Sequence, residues 1–156
     1  MRGKQATKKK ISADPIYNST TITKFINYLM LSGKKTLAER LVYKALEKAG
    51  EESKLKPMEV FEKALENLKP KMEVRSRRVG GANYQVPVQV DALRQESLAM
   101  RWLISAARES RKTTDFSEAL AKEIINATKK EGAAYKKKED THKMADANKA
   151  FEHFQW

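Results

Sequence analysis

The chain of 156 residues contains no cysteine. It therefore has no disulfide framework, no thiolate nucleophile and no zinc site built on cysteine. Its two histidines, His142 and His153, lie eleven positions apart. Solvated or capping histidines are a better interpretation of this spacing than a metal site. We expect neither a metal nor a cofactor.

Long apolar runs are also missing. No segment approaches the length of a bilayer span, and no hydrophobic signal region follows the basic N-terminus. These features argue against membrane insertion and secretion. We expect a cytoplasmic protein with no membrane partner.

Sequence patterns typical of enzymes are not found either. Gly80-Gly81 is not followed by Lys-Ser or Lys-Thr at the start of a helix, so it does not form a nucleotide-binding loop. No serine lies in a nucleophile-elbow pattern with acid and base groups around it. We expect a protein without enzymatic activity.

The chain has an excess of positive charge. Its 32 Lys and Arg against 20 Asp and Glu give a net charge of +12. Such a field concentrates phosphates and favours nucleic acid or an anionic membrane surface as a partner. The length fits a single domain, residues 1–156.

The N-terminal tail, residues 1–12, is basic and nearly devoid of apolar side chains. We expect it to be disordered on its own and to become ordered on RNA. A tail that serves only solubility is the alternative. Its cationic residues are Arg2, Lys4, Lys8, Lys9 and Lys10.

Apolar residues at helical spacing predict a mainly α fold with helices over 19–31, 36–50, 57–70, 91–112, 115–131 and 133–149. Thr36 and Glu39 have the spacing of a capping box, Leu37 is expected to face inward and Gly50 to end the helix. The segment 133–149 is so polar that we expect it to project and to be held by a partner. The tail 149–156 carries Phe151, Phe154 and Trp156, an aromatic surface that is exposed or docked.

Residues 73–90 alternate with period two and predict a β-hairpin arm. Residues 80–83, Gly-Gly-Ala-Asn, are expected to form a four-residue loop. Arg75, Arg77 and Arg78 are expected to leave a cationic side without a nearby acidic partner, which a polyanion completes. The alternative is a solvated hairpin whose arginines have no binding role.

A line of arginines and serines runs along the helix 91–112, away from its apolar face. At about 100° per residue these side chains fall within an arc of roughly 80°, and both types donate hydrogen bonds to phosphate oxygens. A face that is merely solvated is the alternative, but it would more often mix charges of both signs. Because 91–112 is the fourth predicted helix, α4, we call this line the α4 stripe: Arg94, Ser97, Arg101, Ser105 and Arg108, continued by Lys112.

Five motifs together resemble one known family. They are DPIYNS at 14–19, TKFINYLMLSGKKTLAE at 23–39, EVRSRRVGGANYQVPVQV at 73–90, AMRWLISAAR at 99–108 and KKKEDTHKMADANKAFEHF at 136–154. They follow one another in the same order and span nearly the whole chain. On these motifs the sequence resembles the bacterial-type ribosomal protein number seven of the small subunit.

This resemblance implies a six-helix body with a protruding two-stranded β-hairpin arm. It also implies a structural component of the ribosome that binds the three-prime major domain of small-subunit ribosomal RNA and initiates head assembly. The implied partners besides that RNA are exit-site transfer RNA, messenger RNA and neighbouring ribosomal proteins of the head and platform.

Carried onto matching positions, the resemblance implies two groups of contact residues. Ribosomal RNA would contact Arg2, Lys4, Lys8, Lys9, Lys10, Lys34, Lys35, Arg75, Arg77, Arg78, Arg94, Arg101, Arg108 and Arg111. Transfer RNA and messenger RNA would lie near Ala82, Asn83, Tyr84, Lys136, His142, Lys143 and Lys149. The tails depart from the family pattern, since many relatives begin with a denser arginine cluster and end in Tyr-Arg-Trp where this chain has Phe-Gln-Trp.

Two other functions fit part of this pattern. A DNA-bending architectural protein also combines a helical body with a basic arm, but its arm usually carries an apolar wedge, which the tip at 80–83 lacks. A helical adaptor that binds only proteins leaves the α4 stripe unexplained.

Overall fold

The structure is a computed structural model that describes Gly3 and residues 11–111 and 114–154. These residues form six α-helices, one antiparallel hairpin and a short 3₁₀ helix, which confirms the predicted fold class. The elements are α1 (Thr20–Leu29), α2 (Lys35–Ser53), α3 (Pro57–Leu68), β1 (Met72–Val79), β2 (Ala82–Gln89), α4 (Ala92–Ser110), α5 (Phe116–Thr128), α6 (Gly132–Ala147) and the C-terminal 3₁₀ helix (Lys149–Phe154).

The chain divides into two compact units, Met1–Arg40 and Leu41–Trp156. In the first unit, α1 buries one face because its apolar residues recur every three or four positions. The buried residues are Ile22, Thr23, Phe25, Ile26 and Leu29. The interpretation of residues 1–156 as a single domain stays a prediction.

The predicted capping box at the start of α2 is wrong. The helix begins at Lys35, so Thr36 already lies within its first turn. The Nζ atom of Lys35 pairs with the Glu39 carboxylate at 3.5 Å, which engages the side chain that a capping box requires. Leu37, expected to face inward, is 49% exposed.

The predicted end of α2 at Gly50 is also wrong, because the helix continues to Ser53. A Cβ atom on Gly50 would lie 2.9 Å from Cγ of Pro57 and 3.1 Å from the main-chain oxygen of Leu55. Gly50 is therefore needed where the chain turns back closely on α2 before α3. Pro57 begins α3, where the predicted helix over 57–70 also begins, and proline suits the first helical turn.

The core of the second unit is formed largely by α3, α4 and α5. Helix α5 contacts both α3 and α4, and each helix contributes apolar residues at helical spacing. Fully buried side chains of this core include Val60, Phe61, Leu68, Met100, Leu103, Leu120 and Ile124.

Helix α6 does not project, contrary to the prediction. It contacts α3, α4, α5 and both strands of the hairpin. Ala134 and Ala145 are its buried residues, and small side chains allow close approach of neighbouring elements. Lys138 donates a hydrogen bond of 2.6 Å from Nζ to the main-chain oxygen of Asn67. A polar helix is thus held by alanine contacts and by long side chains that reach main-chain acceptors.

Candidate nucleic-acid interface

The hairpin closes with a tighter turn than predicted. Val79 pairs with Ala82 and Arg78 with Asn83, so only Gly80 and Gly81 lie outside the strands. Their φ angles are +56° and +90°. A two-residue turn with positive φ at both positions matches the right-handed twist of the strands, and glycine adopts it without a Cβ clash. The prediction of a four-residue loop over 80–83 is therefore wrong.

The arm rests against other elements of the second unit over part of its length. Val86 and Pro87 of β2 are buried, and α6 contacts both strands. The ring of Tyr84 lies 5.2 Å from the ring centroids of both Phe151 and Phe154 in the C-terminal 3₁₀ helix. A two-stranded hairpin alone is marginally stable in water, and these contacts provide its support.

Glu73 at the start of the arm contradicts the predicted absence of an acidic partner. Its side chain is only 8% exposed and lies between two arginines. Arg75 donates from Nε to Glu73 at 2.7 Å, and Arg94 of α4 donates from Nε to both carboxylate oxygens at 2.9 and 2.8 Å. The carboxylate therefore joins one cation of the arm to the first cation of the α4 stripe.

The α4 stripe is located on the solvent side of its helix. Arg94, Arg101, Ser105 and Arg108 are exposed, and Ser97 is half-buried with its hydroxyl donating to the main-chain oxygen of Arg94. Arg111, just beyond the helix end, is also exposed. Lys112 lies outside the described residues. The opposite side of α4 is buried, so the cations follow one accessible face.

The other predicted ribosomal RNA contacts belong to other elements of the chain. Arg78 is exposed, whereas Arg77 is half-buried and pairs across the hairpin with Tyr84. Lys34 and Lys35 are exposed in the first unit. The predicted contacts of the N-terminal tail, Arg2, Lys4, Lys8, Lys9 and Lys10, lie outside the described residues.

The predicted transfer-RNA side includes the arm tip and cations of the C-terminal elements. Ala82 and Asn83 are exposed at the tip, while Tyr84 is half-buried. Lys136, Lys143 and Lys149 are exposed. His142 differs from them, because it is half-buried and its Nε2 accepts a hydrogen bond of 3.0 Å from the main-chain N–H of Lys71.

Burial and neighbouring charge shift the pKa values of two side chains on α6. Burial lowers the pKa of His142, and the positive charge of Lys138 lowers it further. Burial likewise lowers the pKa of Lys138, with the cations Lys130 and Lys71 adding to the effect. The neutral form of His142 suits its role as a hydrogen-bond acceptor.

An apolar groove that the sequence did not predict lies beside Glu73. It has a volume of about 420 Å³, and its walls include Val74, Leu98, Trp102 and Met144. Leu98 and Trp102 of α4 are half-buried. They lie at the edge of the core, where the arm and α6 meet α4.

Among residues 11–111 and 114–154, no group of three histidine or acidic side chains could hold a metal ion. No described helix is long and apolar enough to cross a membrane.

Comparison with known proteins gives similarity over nearly the full length. The family model described as ribosomal protein S7p/S5e matches residues 1–149. The small ribosomal subunit protein uS7 of Nautilia profundicola is 54% identical over 156 residues, 100% of each chain. The protein of the same name from Helicobacter hepaticus is also 54% identical over 156 residues, again 100% of each chain. That of Natranaerobius thermophilus is 56% identical over 151 residues, 97% of this chain and 96% of the relative.

Proposed function

Since the chain belongs to the ribosomal protein S7p/S5e family, whose members are structural and non-enzymatic components of the small ribosomal subunit, we propose that it binds the three-prime major domain of small-subunit ribosomal RNA. In this role it initiates assembly of the subunit head. It acts in the cytoplasm, within the ribosome, and RNA of the subunit is its main partner.

The exposed cations of α4 carry this proposal. Arg94, Arg101 and Arg108 lie on the accessible side of a helix whose other side is buried, so their spacing is fixed by the core. Phosphate contacts from arginine position a protein on nucleic acid, and RNA helices are recognised mainly by shape and backbone. Several cations at fixed separations therefore match the phosphates of a folded RNA better than those of a flexible RNA chain.

Head assembly follows from contact at several separated points. Arm residues Arg75 and Arg78, together with the α4 stripe, would fix the relative orientation of RNA helices that otherwise fluctuate. A protein that binds the native junction more tightly than its alternatives raises the population of that junction. No chemical step is required for this action.

The tip of the arm and the C-terminal elements are proposed to lie near exit-site transfer RNA and messenger RNA. The residues concerned are Ala82, Asn83, Tyr84, Lys136, His142, Lys143 and Lys149. The turn at Gly80 and Gly81 and the small Ala82 permit close approach of a nucleic-acid backbone, while the lysines supply positive charge. Neighbouring ribosomal proteins of the head and platform are further proposed partners.

Footprinting tests the ribosomal RNA assignment. A fragment of the three-prime major domain would be probed with and without the protein, in the presence of duplex DNA as a competitor of equal length. We expect protection of a helical junction that excess duplex DNA does not abolish. Equal competition by duplex DNA would favour the DNA-bending alternative.

A shortened arm tests the transfer-RNA assignment. Replacing residues 78–83 with Asn-Gly keeps a two-residue turn and closes the hairpin above the Arg77–Tyr84 pair. Because this replacement also removes Arg78, we expect the affinity for the ribosomal RNA fragment to fall by no more than the contribution of one phosphate contact, whereas transfer-RNA protection at the exit site should be altered in reconstituted subunits. A complete loss of ribosomal RNA binding would contradict this division of roles.

A further inference from the structure

We propose that Glu73 is a positioning residue that presents Arg75 and Arg94 as one paired guanidinium site for the phosphates of an RNA backbone. The proposal rests on the function proposed above, because it names the place where that RNA is held most rigidly. Its basis is the burial of the carboxylate together with the half-exposure of both arginines.

The arrangement is that of a buried anion beneath two accessible cations. The Glu73 side chain is 8% exposed, whereas those of Arg75 and Arg94 are 49% and 44% exposed. Two guanidinium groups against one carboxylate leave one positive charge in excess. An anionic ligand can therefore still be attracted to the site, although both arginines already contact Glu73.

The contacts of both arginines with Glu73 use Nε of each guanidinium group. A guanidinium carries five N–H donors, so the Nη groups of both side chains remain suited to phosphate oxygens. Free arginine side chains lose rotamer freedom on binding, and a carboxylate that fixes them beforehand reduces this loss. Glu73 thus favours binding although its own charge repels phosphate.

Glu73 also connects β1 with α4, because its partner Arg94 lies 21 residues further along the chain. Arg75 belongs to β1 and Arg94 to the first turn of α4. Because one carboxylate holds both, the distance between the arm base and the α4 stripe is fixed. A backbone that follows the stripe can then continue onto the arm without reorganisation of the protein.

The substitution Glu73→Gln should change the affinity for RNA in opposite directions under two explanations. Glu73 acts either by positioning the two arginines or only through its negative charge. Removing a negative charge near RNA should tighten binding if only charge matters. Positioning predicts weaker binding, by a factor of about three to ten, because coupled side chains lose a shared partner. Glu62→Gln is the matched control, since it removes an exposed carboxylate from α3, and we expect equal or slightly tighter binding.

The measurement is the affinity for the three-prime major domain fragment over a range of salt concentrations, with the melting temperature of each variant determined alongside. Added to Arg94→Gln, Glu73→Gln should weaken binding much less than it does alone. Arg94→Lys keeps the charge but lacks Nε and the planar fork, so it should also weaken binding, and it decides the matter if Glu73→Gln does not fold.

The outcomes separate this inference from the proposed function. If the wild-type protein does not bind the fragment in a salt-dependent way, the proposed function fails. If the wild type binds and Glu73→Gln binds equally well or more tightly while remaining folded, the positioning role is overturned. Unchanged binding by Arg94→Lys overturns it as well.

Discussion

The ring centroids of Tyr84 and Phe151 lie 5.2 Å apart, with the ring planes inclined by 54°. Tyr84 belongs to β2, and Phe151 lies in the 3₁₀ helix at the end of the chain. Tilted aromatic pairs at this separation are favourable beyond the area that they bury. The contact therefore holds the arm against the C-terminal segment.

Loss of this contact should loosen the arm. We expect Phe151→Ala to lower the free energy of unfolding by about 1 kcal/mol and to speed amide hydrogen exchange around Tyr84. Glu152→Ala, an exposed position of the same 3₁₀ helix, is the control. Exchange around Tyr84 as slow as in the wild type would show that the arm does not depend on the aromatic contact.

Gly50 should resist substitution although it lies inside a helix. Alanine at an open helical position gains about 1 kcal/mol of helix propensity over glycine. Here the added Cβ would lie 2.9 Å from Pro57, so we expect Gly50→Ala to lower the stability by about 1–3 kcal/mol in denaturant titrations.

Glu47→Ala, at an exposed position of α2, serves as the control for Gly50→Ala and should change the stability by less than about 0.5 kcal/mol. A Gly50→Ala protein more stable than the wild type would show that the turn before α3 moves aside easily.

Asp115 should contribute to the free energy of unfolding, and this contribution should be lost in acid. Its pKa is lowered from 3.8 to about 2, first by the hydrogen bond of 2.6 Å from the Ser117 hydroxyl and then by that of 3.0 Å from Lys44. Because the folded-state pKa lies below the unfolded value, the contribution is present above pH 3.8 and is lost as the pH falls towards about 2.

Thermal unfolding across this pH range tests the contribution of Asp115. The difference in melting temperature between wild type and Asp115→Asn should shrink as the pH falls. Ser117→Ala removes the largest cause of the pKa shift, so the acid-sensitive contribution of Asp115 should be smaller in this variant, and its loss should be complete at a higher pH than in the wild type. A pH-independent difference between wild type and Asp115→Asn would contradict this account.

Local patterns predicted the elements, but not every boundary. Alternation over 73–90 identified the hairpin, and Pro57 marked the start of α3, because both depend on neighbouring residues. The end assigned to Gly50 was wrong, since glycine also permits close approach, and only the contact with Pro57 distinguishes the two roles.

Contacts between residues far apart in the chain could not be predicted from the sequence. The bridge from Glu73 to Arg94 depends on how β1 is placed against α4. The docking of α6 was missed because its apolar face is weak, and main-chain acceptors such as the Asn67 oxygen leave no mark in sequence periodicity. The α4 stripe was predictable because it lies within one helix.

The most direct test of the account is the salt dependence of ribosomal RNA binding by a variant in which Arg94, Arg101 and Arg108 are all changed to glutamine. The slope of log affinity against log salt is negative, and its magnitude should be lower in this variant than in the wild type by about 2 to 3. Each phosphate contact contributes about 0.7 to 0.9 to that magnitude. Changing the exposed Lys54, Lys63 and Lys122 to glutamine removes the same charge elsewhere and should leave the slope nearly unchanged. Equal slopes for the wild type and the arginine variant, with both folded, would contradict the assignment of the α4 stripe as the RNA-binding surface.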